Sequence, residues 1–358
     1  MNSQLDDDLK NKVIHILHEC GYDVSLDDKI GGGVISSVFE GTLFTTDGHS
    51  LPIVVKHTRD RQSPMPPPFY ERIDHFLSAK SQDADAYFLR FFNSHIQFSS
   101  QITLPKVYGH FPEFNITILE NLKYCSKKFR LLSEIFPEAL RNIDFANNLG
   151  SGIAFLNNCL VHQTPAPPYI EDQLIQFEER GLGLLMAFPN SQRQFRKFLQ
   201  AHLSHQNRQL ICTDLHPKNL FYSVTGEVAV IDFGRTTYGD PQYQLSNFLA
   251  HIIIYWISDT SNFIHACDIH DFISQIVESY ERHTNAICHT KFCEFIGAEI
   301  LSRANGRWID YFGENDIKTK SCLSALGQSI FSRNVNRIET IVAMSSEFKL
   351  AFSASFPQ

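Results

Sequence analysis

The stretch Ile211-Cys-Thr-Asp-Leu-His-Pro-Lys-Asn219, followed by Val230-Ile-Asp-Phe-Gly234, decides the fold class that we predict for this chain. It places Asp214, Asn219 and Asp232 in that order after a predicted strand. Phosphoryl transfer needs a carboxylate that orients the attacking hydroxyl and takes its proton, and oxygen ligands that hold magnesium against phosphates. The order of residue types therefore predicts Asp214 as a catalytic base and Asn219 and Asp232 as Mg²⁺ ligands.

Upstream of this stretch, a glycine triplet and a strand lysine predict contacts to the phosphates of ATP. Gly31, Gly32 and Gly33 precede a predicted strand, and Lys56 ends the run Val54-Val55-Lys56 one hairpin later. Glycines let the backbone approach phosphates closely and direct N–H groups at them. A lysine on such a strand suits the group that contacts the α- and β-phosphates.

Two further stretches are predicted to complete the nucleotide-binding set. Asp85, on the helix that follows Lys56, is the best-placed acidic partner for this lysine, and Glu71 is the alternative. The run Ile116–Leu122 is typical of a buried strand that leads into a hinge. The backbone groups of Glu120 to Leu122 are then expected to pair with adenine.

The distribution of strand and helix patterns along the chain predicts an α+β, bilobal, protein-kinase-like fold. After an amphipathic opening helix, the predicted elements are strands at 24–29, 37–45, 53–57, 104–111 and 115–120 and one helix at 69–93. Beyond residue 122 the pattern is helical except for a small hairpin around Thr225-Gly226. We therefore expect a small β-rich N-terminal nucleotide-binding lobe with one main helix, 1–122, and a larger, mostly helical C-terminal catalytic and acceptor-binding lobe, 123–358.

Composition narrows the class of protein further. The formal net charge of −8 argues against a general nucleic-acid binder, which needs a basic face. The longest apolar run, 248–257, is short and contains His251, so no membrane span is expected. Eight cysteines without a CxxC pair or a secretory signal indicate reduced thiols and a cytoplasmic protein.

Together, the stretches 214–219 and 231–241 resemble those of the aminoglycoside phosphotransferase and choline kinase superfamily. Three features are similar to the methylthioribose kinase branch: the proline-rich loop after Lys56, the apolar helix at 247–256 and the stretch 295–306. The resemblance implies an ATP- and Mg²⁺-dependent kinase of a small-molecule hydroxyl, on a methylthioribose-like sugar, an aminoglycoside or an amino alcohol. It also implies that the chain could form a homodimer.

The chain departs from this resemblance at several positions. Cys212 and Thr213 replace the histidine and glycine usual before the catalytic aspartate, and Gln244 replaces an aspartate that braces the catalytic loop. Methylthioribose kinases tend to have Asp-Pro-Glu where this chain has 232–234, a serine-type ligand in place of Asn219, and paired arginines at 302–303. These differences leave the phosphoryl-transfer set intact and the identity of the acceptor open.

The acceptor is expected to contact polar residues that follow Asp232, namely Arg235, Tyr238 and Arg303. The alternative for Arg303 is a purely structural role at the end of its helix. Two other functions stay open: a nucleotide-binding pseudokinase and a protein kinase that acts on a protein partner. The complete set of Lys56, Asp214, Asn219 and Asp232 favours an enzyme, and the short path from Asp232 to Pro241 leaves little room for an activation loop.

Overall fold

The chain divides into two compact units. The computed structural model describes residues 2–31, 36–58, 71–95, 102–161, 209–259, 264–284, 287–305, 317–333 and 335–354. The first unit comprises residues 1–130 and 229–235, and the second comprises 131–228 and 236–358. The segment that carries Asp232 therefore belongs to the first unit, whereas the predicted lobes divide the chain once, after residue 122. The nucleotide-binding and acceptor-binding roles of those lobes stay predictions.

The first unit is built on a five-stranded antiparallel sheet with strand order β1-β2-β3-β6-β5. Its helices are α1 (Asn2–Glu19) and α2 (Glu71–His95). The strands up to residue 131 are β1 (Asp23–Gly31), β2 (Ser36–Phe44), β3 (Ser50–Thr58), β4 (Ile102–Thr103), β5 (Val107–Phe111), β6 (Ile116–Glu120) and β7 (Arg130–Leu131).

One face of this sheet forms a core with α1. Val13 and Leu17 of α1 are fully buried in a cluster with Ile53 and Val55 of β3. Successive side chains of a strand point to opposite faces, so Lys56 lies on the face away from this cluster. Alternation on β3 thus separates the residues that stabilise the unit from the lysine that was predicted to bind phosphates.

Turn chemistry accounts for the hairpin between β2 and β3. Gly48 has φ +81°, a left-handed conformation that favours glycine, and its N–H donates to the Thr45 carbonyl at 3.0 Å. The predicted hairpin before Lys56 is therefore confirmed, with Asp47-Gly48 at its turn. The predicted strand at 104–111 was wrong in its first residues, since β5 begins only at Val107. Pro105 explains the difference because it has no N–H to donate to a strand ladder.

The second unit is mostly helical. Its helices are α3 (Phe136–Ala139), α4 (Ile143–Val161), α5 (Pro241–Ser258), α6 (Ala266–Glu281), α7 (His289–Asn305), α8 (Ile317–Ser332) and α9 (Ile338–Ala354). Its strands are β8 (Gln209–Cys212), β9 (Leu220–Tyr222) and β11 (Thr236–Gly239), while β10 (Val228–Val230) begins in this unit and continues into the first. β8 and β11 pair antiparallel, with Cys212 opposite Thr236.

Helix α5 is the central buried helix of the second unit. Asp240 caps its start by accepting a hydrogen bond from the Gln242 N–H at 3.0 Å, and Pro241 occupies the first turn. Most residues from Tyr243 to Ile257 are buried, including the polar Gln244, Asn247 and His251. Among the residues that the structure describes, neither this nor any other helix has the length and apolar character needed to cross a membrane.

Candidate active site

Lys56 lies at the centre of an ion-pair cluster in the first unit. Its Nζ is 3.3 Å from Asp85 Oδ2 and 3.1 Å from Asp232 Oδ1. The structure therefore brings Lys56 together with two carboxylates. One is Asp85, which the sequence analysis preferred over Glu71, and the other is the predicted metal ligand Asp232. The side chain of Glu71, in the first turn of α2, is not among those described.

The charges in this cluster shift one another's pKa. Burial disfavours the charged form of Lys56, but the carboxylates of Asp232 and Asp85 outweigh burial and raise the pKa of Lys56. For Asp85, burial raises the pKa, and the positive charge of Lys56 opposes that effect. Lys56 consequently stays a cation at neutral pH, as a contact to phosphate requires.

Asp85 also holds the backbone of the segment that carries Asp232. The Phe233 N–H donates to Asp85 Oδ1 at 2.8 Å, and the buried Phe233 ring packs on Phe92 of α2 with ring centroids 4.9 Å apart. Asp232 itself has φ 63°, which is uncommon for a residue other than glycine and most tolerable for aspartate and asparagine. Helix α2 thus fixes both the lysine and the strained turn at Asp232.

The end of β6 has few backbone donors left for a ligand. The Glu120 N–H donates to the Lys106 carbonyl at 2.9 Å, and the Asn121 N–H donates to the Pro52 carbonyl at 3.1 Å. The Asn121 side chain accepts from the Lys123 N–H at 3.1 Å and caps the turn that begins at Leu122. The Asn121 and Leu122 carbonyls also accept hydrogen bonds, from the Tyr124 N–H at 3.2 Å and the Cys125 thiol at 3.1 Å. The candidate hinge groups are therefore the Glu120 carbonyl and the Leu122 N–H.

The predicted glycine triplet is described only at its first residue. Gly31 ends β1 and lies opposite Val38 of β2, after two shifts in the strand register. Gly32 and Gly33 lie outside the described residues. The glycine contribution to phosphate binding stays a prediction.

In the second unit, Asp214 and Asn219 belong to one hydrogen-bonded loop that follows β8. Asn219 Nδ2 donates to the Asp214 carbonyl at 3.0 Å, and the Asn219 N–H donates to the His216 carbonyl at 2.8 Å. The loop is also tied down by the Ser133 N–H, which donates to the Pro217 carbonyl at 3.1 Å. These bonds fix the Asp214 backbone and leave the carbonyl oxygen of the Asn219 side chain as its ligand atom.

The two carboxylate oxygens of Asp214 face different partners. Arg303 Nη2 lies 3.8 Å from Oδ1, and His216 Nε2 lies 3.9 Å from Oδ2. The Lys218 N–H donates to His216 Nδ1 at 3.2 Å, so the ring proton of a neutral His216 is on Nε2, towards Asp214. His216 thereby braces the loop, and Arg303 is placed at the predicted catalytic carboxylate.

A buried carboxylate on α7 holds Arg303. Arg303 Nε donates to Glu299 Oε1 at 2.6 Å, and the Tyr243 hydroxyl donates to Glu299 Oε2 at 2.7 Å. His251 Nε2 is 3.6 Å from Glu299 Oε1. Burial, followed by the charges of Arg303 and His216, lowers the pKa of His251 well below its ordinary value, so this contact is not an ion pair at neutral pH.

Gln244 supports the strand that leads to Asp214. Its Oε1 accepts a hydrogen bond from the Cys212 N–H at 2.9 Å, and the residue is fully buried. Within the described residues, Gln244 Nε2 has no hydrogen-bond partner. The substitution noted in the sequence therefore keeps an acceptor for the loop but adds a buried donor.

The other two predicted acceptor residues, Arg235 and Tyr238, stay predictions. Arg235 belongs to the first unit, and Tyr238 lies on β11 opposite Leu210 of β8. The sequence did not predict the contacts of Tyr243 and His251 with Glu299. The spacing of Glu299 and Arg303, one helical turn apart, was the available signal for their pairing.

Residues 145–265 match the model of the phosphotransferase enzyme family, and no curated protein matches the chain. Among solved structures, an amicoumacin kinase in complex with AMP-PNP, Ca²⁺ and its ligand is 15% identical, with a TM-score of 0.50 over 93% of this chain and 89% of that one. An aminoglycoside phosphotransferase with streptomycin and ATP is 13% identical, with a TM-score of 0.47 over 80% and 85%. The choline kinase LicA from Streptococcus pneumoniae is 13% identical, with a TM-score of 0.41 over 99% and 100%.

The family-model match covers residues 145–265, and the likeness to the amicoumacin kinase shows an α+β kinase-like fold. The predicted fold class is thereby confirmed, and the predicted superfamily agrees with the family-model match over residues 145–265. The methylthioribose kinase branch stays a prediction.

Proposed function

We propose that the protein transfers the γ-phosphate of ATP to a hydroxyl group of a small molecule. The observation that carries this proposal is the cluster in which Lys56 is held by Asp85 and Asp232. A lysine kept cationic by two carboxylates, one of them on a backbone turn with positive φ, is an arrangement suited to phosphate and metal binding. The AMP-PNP named for the similar amicoumacin kinase agrees with a nucleotide donor.

In this proposal, the nucleotide is bound by residues of the first unit. Lys56 contacts the α- and β-phosphates, and Asp85 keeps its ammonium group oriented. The glycines at 31–33 supply backbone N–H groups to the phosphates. The Glu120 carbonyl and the Leu122 N–H are the hinge groups left for adenine, because the N–H groups of Glu120 and Asn121 are used within the sheet.

Asn219 and Asp232 are the proposed ligands for Mg²⁺. Each proposed donor suits a hard cation, since one is a carboxylate and the other is an amide oxygen whose own NH₂ group is already bound to the Asp214 carbonyl. Asp232 is only partly buried, and its strained backbone is consistent with a functional constraint. When bound, the ion would neutralise charge on the transferred phosphate.

Asp214 is the proposed base for the acceptor hydroxyl. Its carboxylate would accept the hydroxyl proton as the oxygen attacks the phosphate. The loop bonds from Asn219 and the Gln244 support of β8 hold it in place. Nearby, Arg303 can donate several hydrogen bonds to vicinal hydroxyls or to an acidic group of the acceptor, with Arg235 and Tyr238 as further candidates. The acceptor could be a methylthioribose-like sugar, an aminoglycoside or an amino alcohol.

The alternatives to this function are a nucleotide-binding pseudokinase and a protein kinase. No specific observation favours the pseudokinase or the protein kinase. The predicted catalytic side chains are present and each is held by defined partners. A cytoplasmic location and a homodimer stay predictions, as does the absence of nucleic-acid partners.

The test is a screen of sugars, aminoglycosides and amino alcohols with ATP and Mg²⁺, followed by ADP release and by the mass of the product. We expect ADP release that depends on one acceptor class and a product heavier by one phosphate. Asp232→Ala protein serves as the inactive control. Nucleotide binding without transfer to any alcohol would favour the pseudokinase, and phosphate found on protein would favour the protein kinase.

A further inference from the structure

Gln82 ties helix α2 to two strands of the sheet, one turn before Asp85. The residue is buried, and its Oε1 accepts a hydrogen bond from the Thr58 hydroxyl at 2.6 Å. Its Nε2 donates to the Lys56 carbonyl at 2.9 Å and to the Thr117 hydroxyl at 2.8 Å. One side chain thus joins α2 to the backbone of Lys56 itself and to the neighbouring strand β6.

A second connection runs from the next residue of α2 to the same threonine. His110 Nδ1 lies 3.0 Å from Thr117 Oγ1, and His110 Nε2 lies 2.9 Å from Asp83 Oδ1. With the ring proton on Nε2, each group in the series Gln82, Thr117, His110 and Asp83 donates to the next. These residues, with Thr58 and the Lys56 carbonyl, form what we call the Gln82 network.

The geometry of Asp85 requires such a connection. An aspartate is one methylene shorter than a glutamate, so its helix must lie close to β3 for the carboxylate to reach Lys56. Both carboxylate oxygens are engaged, one by Lys56 at 3.3 Å and the other by the Phe233 N–H at 2.8 Å. A shift or rotation of α2 would break one of these contacts, because the short Asp85 side chain cannot extend further to restore it.

We propose that Gln82 is a positioning residue of the nucleotide site, which sets the distance and rotation of α2 so that Asp85 reaches Lys56. The inference rests on the proposed function, in which Lys56 binds the phosphates of ATP. Gln82 acts through Asp85 and Lys56 and does not itself contact the nucleotide. Such a role makes ATP binding sensitive to a residue that only touches the protein interior.

The experiment measures the dissociation constant of ATP with Mg²⁺ by calorimetry, which does not require a known acceptor. Gln82→Leu keeps the approximate volume and removes all three hydrogen bonds, and we expect ATP binding about 10-fold weaker, as for loss of a charged contact. The matched control is Asn93→Ala, which removes a 2.9 Å bond from the C-terminal end of α2 to the Pro105 carbonyl. The control should bind ATP like the wild type.

The coupling to Asp85 separates positioning from simple destabilisation. In an Asp85→Asn background, Gln82→Leu should change the dissociation constant by less than about 2-fold, because the route through Asp85 is already lost. An equal loss in both backgrounds, or unchanged ATP binding by Gln82→Leu, would overturn the inference. If Gln82→Leu does not fold, Thr58→Val removes one bond of the network and is judged by the same two criteria. A wild-type protein that fails to bind ATP at all would instead contradict the proposed function.

Discussion

At the scale of single residues, two of the candidate functional carboxylates have a partner on each oxygen. Asp85 divides its oxygens between Lys56 and the Phe233 N–H, and Asp214 faces Arg303 with one oxygen and His216 with the other. Two partners fix the plane of a carboxylate, whereas one allows it to rotate. The orientation of each carboxylate is therefore fixed by its partners. Substitutions that preserve the shape of the side chain test the role of that orientation.

Asp214→Asn keeps the size of the side chain and removes its basicity. We expect turnover to fall by about 100-fold or more, as for loss of a general base, with ATP affinity nearly unchanged. Steady-state ADP release with the acceptor identified by the screen gives the rate, and calorimetry gives the affinity. Wild-type turnover in this variant would remove Asp214 from the proposed base position.

Arg303→Lys keeps the positive charge but loses the planar group that contacts Glu299 and faces Asp214. We expect kcat/KM for the acceptor to fall about 10- to 100-fold, as for loss of charged hydrogen bonds, and the KM for ATP to stay unchanged. Initial rates at varied acceptor concentration give kcat/KM for the acceptor, and initial rates at varied ATP concentration give the KM for ATP. Arg141→Lys is the matched control, because Arg141 is an exposed arginine paired with Asp268 at 3.2 Å. Unchanged acceptor kinetics would leave Arg303 with a structural role only.

At the scale of elements, close helix packing in the second unit depends on glycines. A Cβ at Gly150 of α4 would lie 2.3 Å from the Ile276 carbonyl oxygen of α6. A Cβ at Gly327 of α8 would lie 2.6 Å from Leu301 Cγ of α7. Since α7 carries Glu299 and Arg303, this packing helps to set where the candidate acceptor residue lies.

Gly150→Ala should destabilise the protein. Real Cβ atoms do not approach a backbone oxygen to 2.3 Å, so α4 and α6 must separate, at a cost of about 1–3 kcal/mol for overpacking. Urea denaturation followed by circular dichroism gives the free energy of unfolding. The neighbouring Ser151→Ala removes only a hydroxyl bonded to the Asn147 carbonyl of its own helix, and it should cost about 1 kcal/mol or less. Equal stability of Gly150→Ala and the wild type would show that the helices can adjust without cost.

Elements that depend on local pattern were predictable, and contacts that depend on helix rotation were not. The glycine turn at Gly48, the strand of Lys56 and the Asp240 cap follow from local residue chemistry. β5 begins only at Val107 because Pro105, two residues earlier, cannot donate a hydrogen bond to the strand ladder. The pairing of Asp85 with Lys56 could be proposed from position along the chain, because only one helix follows that strand within the predicted small lobe.

At the scale of the whole molecule, the unpredicted parts of the candidate site are those that join distant segments. Gln82 connects to Thr117, and Glu299 connects to Tyr243, across long stretches of sequence. No rule of sequence spacing tells which distant strand or helix a given helix residue will contact, because that contact depends on the packing of the entire unit. The sequence analysis therefore singled out neither Gln82 nor Glu299, although both are buried.

The same packing gives the molecule a pH-dependent stability through His251. This residue is fully buried between groups that include Arg303, His216 and Glu299, and its pKa lies well below 6.5 in the folded protein. Below about pH 6.5 the unfolded chain binds a proton there that the folded protein does not bind, so stability falls as the pH falls. Above that pH the His251 ring is neutral in both the folded and the unfolded state, so it does not lower stability there.

His251→Gln removes this titration and should flatten the pH dependence of stability on the acid side. One proton corresponds to a slope of up to about 1.4 kcal/mol per pH unit, and the unfolded histidine is half protonated at about pH 6.5. Between pH 6.5 and pH 5.5 the variant should therefore lose about 1 kcal/mol less stability than the wild type. Urea denaturation at pH 5.5, 6.5 and 7.5 measures the free energy of unfolding of each protein. His270→Gln, a half-exposed histidine on α6, is the control and should keep the wild-type slope. Comparing slopes separates the titration from any constant cost of the substitution, because a packing defect lowers stability equally at all three pH values. Parallel curves for the wild type and His251→Gln would mean that His251 takes up its proton equally in the folded and unfolded states, contrary to its complete burial.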